Sequence, residues 1–134
     1  MKPTVYLCGP ILGRPDSECV EWRRTAATWL TPEIETLDPI RRDYRGRESN
    51  PGIERFIVQD DYEDISNSDA LLVMFDKPSI GTSMEMRIAY SEMQIPTYVI
   101  DISMAQRSPW LTYHTTYFFS SLVDACEALK RDLS

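Results

Sequence analysis

Glu85 lies in the run Ser79-Ile80-Gly81-Thr82-Ser83-Met84-Glu85-Met86-Arg87-Ile88-Ala89-Tyr90, which follows the apolar stretch Asp69–Phe75. An apolar strand, a turn containing Gly81 and then a helix is the arrangement that sets functional groups at the carboxyl edge of a parallel sheet. Within about one turn of a helix N-terminus, free N–H groups and the macrodipole favour an anion, so the Glu85 carboxylate is expected to stay ionised. An ionised, fixed carboxylate is a nucleophile for an electrophilic carbon. The same residue is equally an ordinary first-turn glutamate chosen for helix stability. The run by itself leaves both readings open.

Other groups with chemical potential cluster in a few places. Asp60, Asp61, Glu63 and Asp64 crowd one end of a helical stretch, where acidic residues either serve a reaction or form a solvated face. Arg41, Arg42, Arg45 and Arg47 fall in one polar loop, suited to an anion through charge-assisted hydrogen bonds, or to a solvated or subunit-contacting surface. Hydroxyls at Ser79, Thr82, Ser83 and Ser108 and aromatics at Tyr44 and Trp110 accompany them. His114 is the only histidine and has no Ser, Cys or metal-ligand partner at telling spacing, so packing or surface is its expected role. Cys8, Cys19 and Cys126 form no metal-ligand pattern, and their odd number does not suggest a disulfide framework.

These groups need elements to position them. Thr4–Cys8 reads as a buried first strand ending at Gly9-Pro10, and Ser17–Leu30 as a helix capped by Ser17. That helix is expected to face inward through Val20, Arg23 or Arg24, Ala27 and Leu30, with Trp22, Ala26 and Trp29 widening the apolar side. Glu33–Leu37 is a weak second strand leaving through Asp38-Pro39, and 41–52 is a loop. Ile53–Ser66 is a helix with Ile53, Phe56, Ile57 and Ile65 inward. Strands at Asp69–Phe75 and Pro96–Asp101 flank a helix ending near Met93, and Leu122–Leu133 closes the chain as an amphipathic helix. Alternating strands and helices imply a mainly parallel sheet with helices on both faces, a flavodoxin-like (Rossmann-like) three-layer α/β sandwich. Its ligand should sit outside the strand carboxyl ends, where the loops 9–14, 38–52, 76–85 and 101–110 meet.

Composition bounds the partners. A chain of 134 residues is expected to form one domain, 1–134, with 43% hydrophobic and 26% charged residues as in soluble globular proteins. A net charge of -7 argues against a nucleic-acid polymer or an anionic membrane as the main partner, though not against a small anion held by a local basic loop. The apolar stretch after Met-Lys-Pro-Thr is too short for a signal peptide or a membrane span, and a cytoplasmic location is expected.

Several motifs, in order and at compatible spacing, resemble the nucleoside 2-deoxyribosyltransferase family over nearly the whole chain. Val5-Tyr6-Leu7-Cys8-Gly9-Pro10-Ile11 resembles its first strand and Gly-Pro turn. Asp61-Tyr62-Glu63-Asp64-Ile65 followed by Ser68–Val73 resembles the passage that brings in a catalytic aspartate. Gly81–Met86 with Ala89-Tyr90 resembles the segment of the nucleophilic glutamate. Asp38–Gly46 resembles a substrate-covering loop, and Ser108–Leu111 with Tyr113-His114 resembles the segment before the last helix.

The resemblance implies that Glu85 attacks the anomeric carbon of a 2-deoxyribosyl group, that Asp61 assists the base and that Tyr6 holds the glutamate. Asp64 is the alternative to Asp61, one turn away. It further implies substrate contacts from Gly9 and Pro10, from Asp43, Tyr44 and Arg45 of the covering loop, and from Ser79, Gly81, Ser83, Met84 and Ser108. No metal or organic cofactor is expected, because carboxylates suffice. The expected partners are deoxynucleosides or deoxynucleotides, free nucleobases and further copies of the chain in a homo-oligomer that shares its active sites. The aromatic run Tyr113–Phe119 could supply the apolar interface. One departure matters. Some transferases carry an aspartate where this chain has Ser79, and the version here resembles 2-deoxynucleoside 5-monophosphate N-glycosidases, in which serines at the positions of Ser79 and Ser108 contact the phosphate. Gly9-Pro10-Ile11-Leu12, however, lacks the serine and arginine of those hydrolases. Base exchange, hydrolysis of the monophosphate and non-catalytic nucleotide sensing all stay open.

Overall fold

The computed structural model describes residues 1–134. Five strands, β1 (Thr4–Cys8), β2 (Glu35–Leu37), β3 (Ala70–Phe75), β4 (Thr97–Asp101) and β5 (Tyr117–Phe119), form one sheet in the order β2-β1-β3-β4-β5. Every pairing is parallel. This is the flavodoxin-like order, whose direction of winding reverses between β1 and β3. The register Tyr6↔Leu71 and Cys8↔Val73 fixes how far the end of β1 projects beside β3.

Alternation along β1 divides the core. Val5 and Leu7 point to one face, packing with Ala26 and Leu30 of α1 (Asp16–Leu30) and Ala125, Cys126 and Leu129 of α5 (Leu122–Leu133). Tyr6 and Cys8 point to the other face with Leu71, Val73 and Val99. There they meet Ile65 of α2 (Ile53–Ser66), Met86 of α3 (Ile80–Arg87) and Leu111 of α4 (Pro109–Tyr113). Two polar side chains on that second face, a phenol and a thiol, are therefore carried into the interior by strand periodicity alone.

Local details depart from the sequence reading. Pro15 precedes α1, which starts at Asp16 without a side-chain cap, so Ser17 is helical and does not cap. The buried residues of α1 are Cys19, Arg23, Ala26 and Leu30; Arg23, Ala26 and Leu30 lie inward as expected, while Cys19 takes the place of Val20, and Ala27 is half-buried. Trp29 is exposed, and so is Phe56, at 58% exposure, because only the C-terminal turns of α2 reach the sheet. The expected third helix is two structures: α3 ends at Arg87, and a π-helical turn spans Ile88–Glu92. The aromatic run 113–119 contains a fifth strand the sequence reading did not find; β5 is three residues long, too short for a clear alternating pattern. Its Phe119 stacks on Tyr98 at 6.0 Å. No helix is long and apolar enough to cross a membrane.

Candidate active site

Ser79 begins the site. Its hydroxyl accepts from the Thr82 N–H at 3.5 Å, which starts α3 at Ile80 and draws Gly81 into the helix. Gly81 is thus not a turn residue, and a Cβ there would meet nothing within 4 Å. The early start puts Glu85 in the second turn, beyond the reach of the free N–H groups that sequence reading invoked.

What governs Glu85 is tertiary. The Tyr6 hydroxyl donates to Oε2 at 2.6 Å, and the Cys8 thiol lies 3.3 Å from Oε1. Asp61, from α2, is a neighbour of Glu85 whose carboxyl perturbs it. Burial, and then the facing Asp61 carboxylate, push the Glu85 carboxyl well above the usual glutamate range, against the hydrogen bonds from Tyr6 and Cys8. The expectation of a helix-stabilised, freely ionised carboxylate is therefore corrected: its surroundings favour the protonated form. Burial also raises Asp61, opposed by its hydrogen bond with Glu85 and by Arg42. Burial and the nearby Glu85 raise both Tyr6 and Cys8, which keeps them protonated as donors.

Asp64 takes another part. Arg41 and Arg42 hydrogen-bond its two oxygens at 2.8 and 2.7 Å and, against the cost of burial, hold it below the usual carboxylate range. Asp69 accepts from the Thr4 N–H at 2.8 Å, tying the start of β3 to β1. In the acidic end of α2, Asp60, Asp61 and Asp64 thus each have a partner in the chain, while Glu63 stays exposed.

The loop after β2 closes over α2 through its own charges. Tyr44 donates to Asp60 at 2.8 Å, Arg45 grips Asp43 and reaches Asp16, and Arg42 meets Asp61 at 3.0 Å. Three of the four arginines offered to an anion by the sequence are therefore paired within the chain. The Gly9-Pro10 turn is buried and supported from below. Arg23, 1% exposed, donates to the carbonyls of Gly9 and Cys19 at 2.9 and 2.8 Å and stacks on Trp22 at 4.8 Å. A Cβ on Gly9 would come within 2.7 Å of the Trp22 ring, which explains the glycine.

Ser83 and Met84 are exposed on α3. Ser108 caps α4 by accepting from the Trp110 N–H at 3.1 Å. His114 is buried among Tyr90, Trp110 and Tyr113, with Nδ1 2.7 Å from the Trp110 carbonyl. Sequence reasoning missed Cys8, Arg23 and Arg42 as groups acting on the site; for Cys8 the signal was available, since it shares the face of β1 with Tyr6. No group of three or more His, Cys, Asp or Glu is arranged to hold a metal ion.

The fold that carries this carboxyl pair has known relatives. The model of the nucleoside 2-deoxyribosyltransferase family matches residues 5–108. The chain belongs to this family. No curated protein sequence matches it. Among solved structures, a conserved protein from Enterococcus faecalis V583 superposes with a TM-score of 0.78 at 19% identity, covering 99% of this chain and 100% of that one. The 2-deoxyribosyltransferase of Bacillus psychrosaccharolyticus gives 0.73 at 16% identity, over 90% of this chain and 88% of that one. The CMP N-glycosidase BcmB of Clostridium botulinum gives 0.58 at 14% identity, over 94% and 97%. At such identities the shared feature is the fold, common to a 2-deoxyribosyltransferase and a CMP N-glycosidase.

Proposed function

We propose that the protein is a nucleoside 2-deoxyribosyltransferase that breaks the N-glycosidic bond of a 2-deoxynucleoside and passes the sugar to another base. The observation that carries this reading is the Glu85 carboxyl held by Tyr6 and Cys8 and faced by Asp61. Productive binding places the anomeric carbon over Glu85, with the pair's proton on Asp61. An oxygen of Glu85 forms a bond to C1′ while the C1′–N bond breaks, and its electron pair leaves with the base, which takes the proton of Asp61. The product is a glycosyl ester of Glu85, as in retaining glycosidases. A nitrogen of the second base then attacks C1′, the ester electrons return to Glu85, and Asp61 recovers a proton from the incoming base. Two inversions give net retention. Substrate contacts are assigned to the Gly9-Pro10 turn, to 43–45 of the covering loop, and to Ser79, Gly81, Ser83, Met84 and Ser108.

The pairing of Arg41, Arg42 and Arg45 with aspartates of the same chain favours an unphosphorylated nucleoside over its monophosphate. The exposed aromatics Trp110, Tyr113 and Tyr117 support assembly into a homo-oligomer, and gel filtration at the mass of one chain would count against it.

Chromatography of purified protein with 2-deoxynucleosides and their 5-monophosphates, each with and without a second free base, tests the reading. Base exchange on the nucleoside with little free sugar is expected. Base release from the monophosphate alone, independent of acceptor, replaces the transferase by an N-glycosidase. Tight binding of both without turnover leaves a sensor.

A further inference from the structure

Arg42 is the one cation in contact with the carboxyl pair. It emerges just after the 3-10 turn Pro39–Arg41, on the loop that overlies α2. Its guanidinium forks: Nη2 meets Asp61 Oδ1 at 3.0 Å and Nη1 meets Asp64 Oδ2 at 2.7 Å, while Nε lies 3.6 Å from Asp60 Oδ2 and is buried without a hydrogen bond. Arg41 secures the other oxygen of Asp64, and Tyr44 secures Asp60. The fork is thus fixed at its base, and its other prong rests on Asp61.

We infer that Arg42 is a positioning residue for the reaction proposed above: it holds the Asp61 carboxyl against Glu85 and sets which of the two carries their shared proton. The proposal rests on the transferase reading for its catalytic consequence. Its physical basis is that the two half-reactions need opposite charges on Asp61. Before the bond breaks, Asp61 must be neutral and Glu85 ionised. In the glycosyl ester Glu85 carries no charge, and the negative charge of the pair has moved to Asp61, beside the guanidinium. Arg42 stabilises that second distribution. It therefore makes Asp61 a stronger acid toward the departing base, and in the resting protein it keeps the proton on the Glu85 side, so that the nucleophile is masked until a substrate rearranges the pair.

The other groups facing the pair do not duplicate this effect. Tyr6 and Cys8 of β1 approach Glu85 and are neutral donors. Asp64 faces Asp61 from the same helix with like charge, and Asp60 is taken by Tyr44. Arg23 of α1 lies under Cys8 and bonds backbone carbonyls. Arg42 is the cation set against Asp61.

The test is a carboxyl 13C NMR titration of Asp61 and Glu85 in the free protein, alongside the pH profile of base release from a 2-deoxynucleoside. In R42Q the Asp61 midpoint is expected to rise by on the order of one pH unit, and both limbs of the profile should move alkaline together. R42K, which keeps the charge but loses the planar fork that fits Asp61 and Asp64, should move in the same direction by less. It carries the test should R42Q fail to fold. Unchanged midpoints in folded R42Q, or in R42K where only that variant folds, would overturn the inference and leave Arg42 as a loop anchor. The titration reads the free protein, so wild type that titrates as described yet releases no base from any substrate defeats the proposed function and not the role of Arg42.

Discussion

The Tyr6 hydroxyl donates to Glu85 Oε2 at 2.6 Å between residues 79 positions apart in sequence. The bond links the middle of β1 to the second turn of α3, and it fixes the orientation of the Glu85 carboxyl. Tyr6→Phe removes the donor and keeps the ring. A hydrogen bond to a charged group contributes about 1.5–3 kcal/mol, so kcat should fall roughly 10- to 100-fold with KM little changed. Steady-state kinetics of base release checks this, and a change confined to KM would count against a role on the nucleophile.

Glu85→Ala is expected to abolish turnover, because no other side chain can form the glycosyl ester. Mass spectrometry of wild type quenched during reaction should find one deoxyribosyl group on the peptide containing Glu85. Near-normal activity in Glu85→Ala would end the covalent mechanism.

Asp61→Asn should slow base release by roughly 10²- to 10⁴-fold, the usual loss when acid–base assistance is withdrawn. The loss should be greatest for the poorest leaving base, since that base depends most on a proton. A uniform loss across bases would assign Asp61 to binding rather than proton transfer.

Stability should respond to the same carboxyl. Burial and Asp61 raise Glu85 in the folded state above its unfolded value. Below about pH 4 the residue is neutral in both states and carries no penalty. As pH rises the unfolded chain ionises first, and the folded state is progressively disfavoured until pH passes the folded value. Glu85→Gln should therefore raise the unfolding temperature near neutral pH, with the gain shrinking as the medium is acidified. Calorimetry at the two pH values decides; a gain independent of pH would place the effect elsewhere.

Two glycines offer a contrast in packing. Gly9→Ala drives a methyl to within 2.7 Å of Trp22, whose ring also carries Arg23, and should cost about 1–3 kcal/mol in denaturant unfolding. Gly81→Ala, in open space inside α3, should stabilise by up to about 1 kcal/mol. Equal effects at the two positions would contradict this packing.

The sequence by itself determined the parallel α/β architecture, because apolar runs such as Ala70–Phe75 alternate with helical periods and each half needs the other to bury it. It also singled out Glu85, through its offset from a strand end, while Asp61 and Tyr6 were drawn in by the resemblance to the family. What it could not supply was the environment of these groups. Helix-end reasoning made Glu85 an ionised first-turn residue, but a capping bond from Ser79 moved the start of α3, and desolvation with a facing carboxyl outweighed the dipole. Charge counting offered the arginine loop to an external anion, whereas contacts across some twenty residues committed Arg41 and Arg42 to α2. Periodicity along β1 puts Cys8 on the same face as Tyr6, a signal the sequence reading left unused. Only the tertiary structure decided what stands opposite them, because burial, proton sharing and ion pairing depend on distances between segments, and no local pattern encodes those distances.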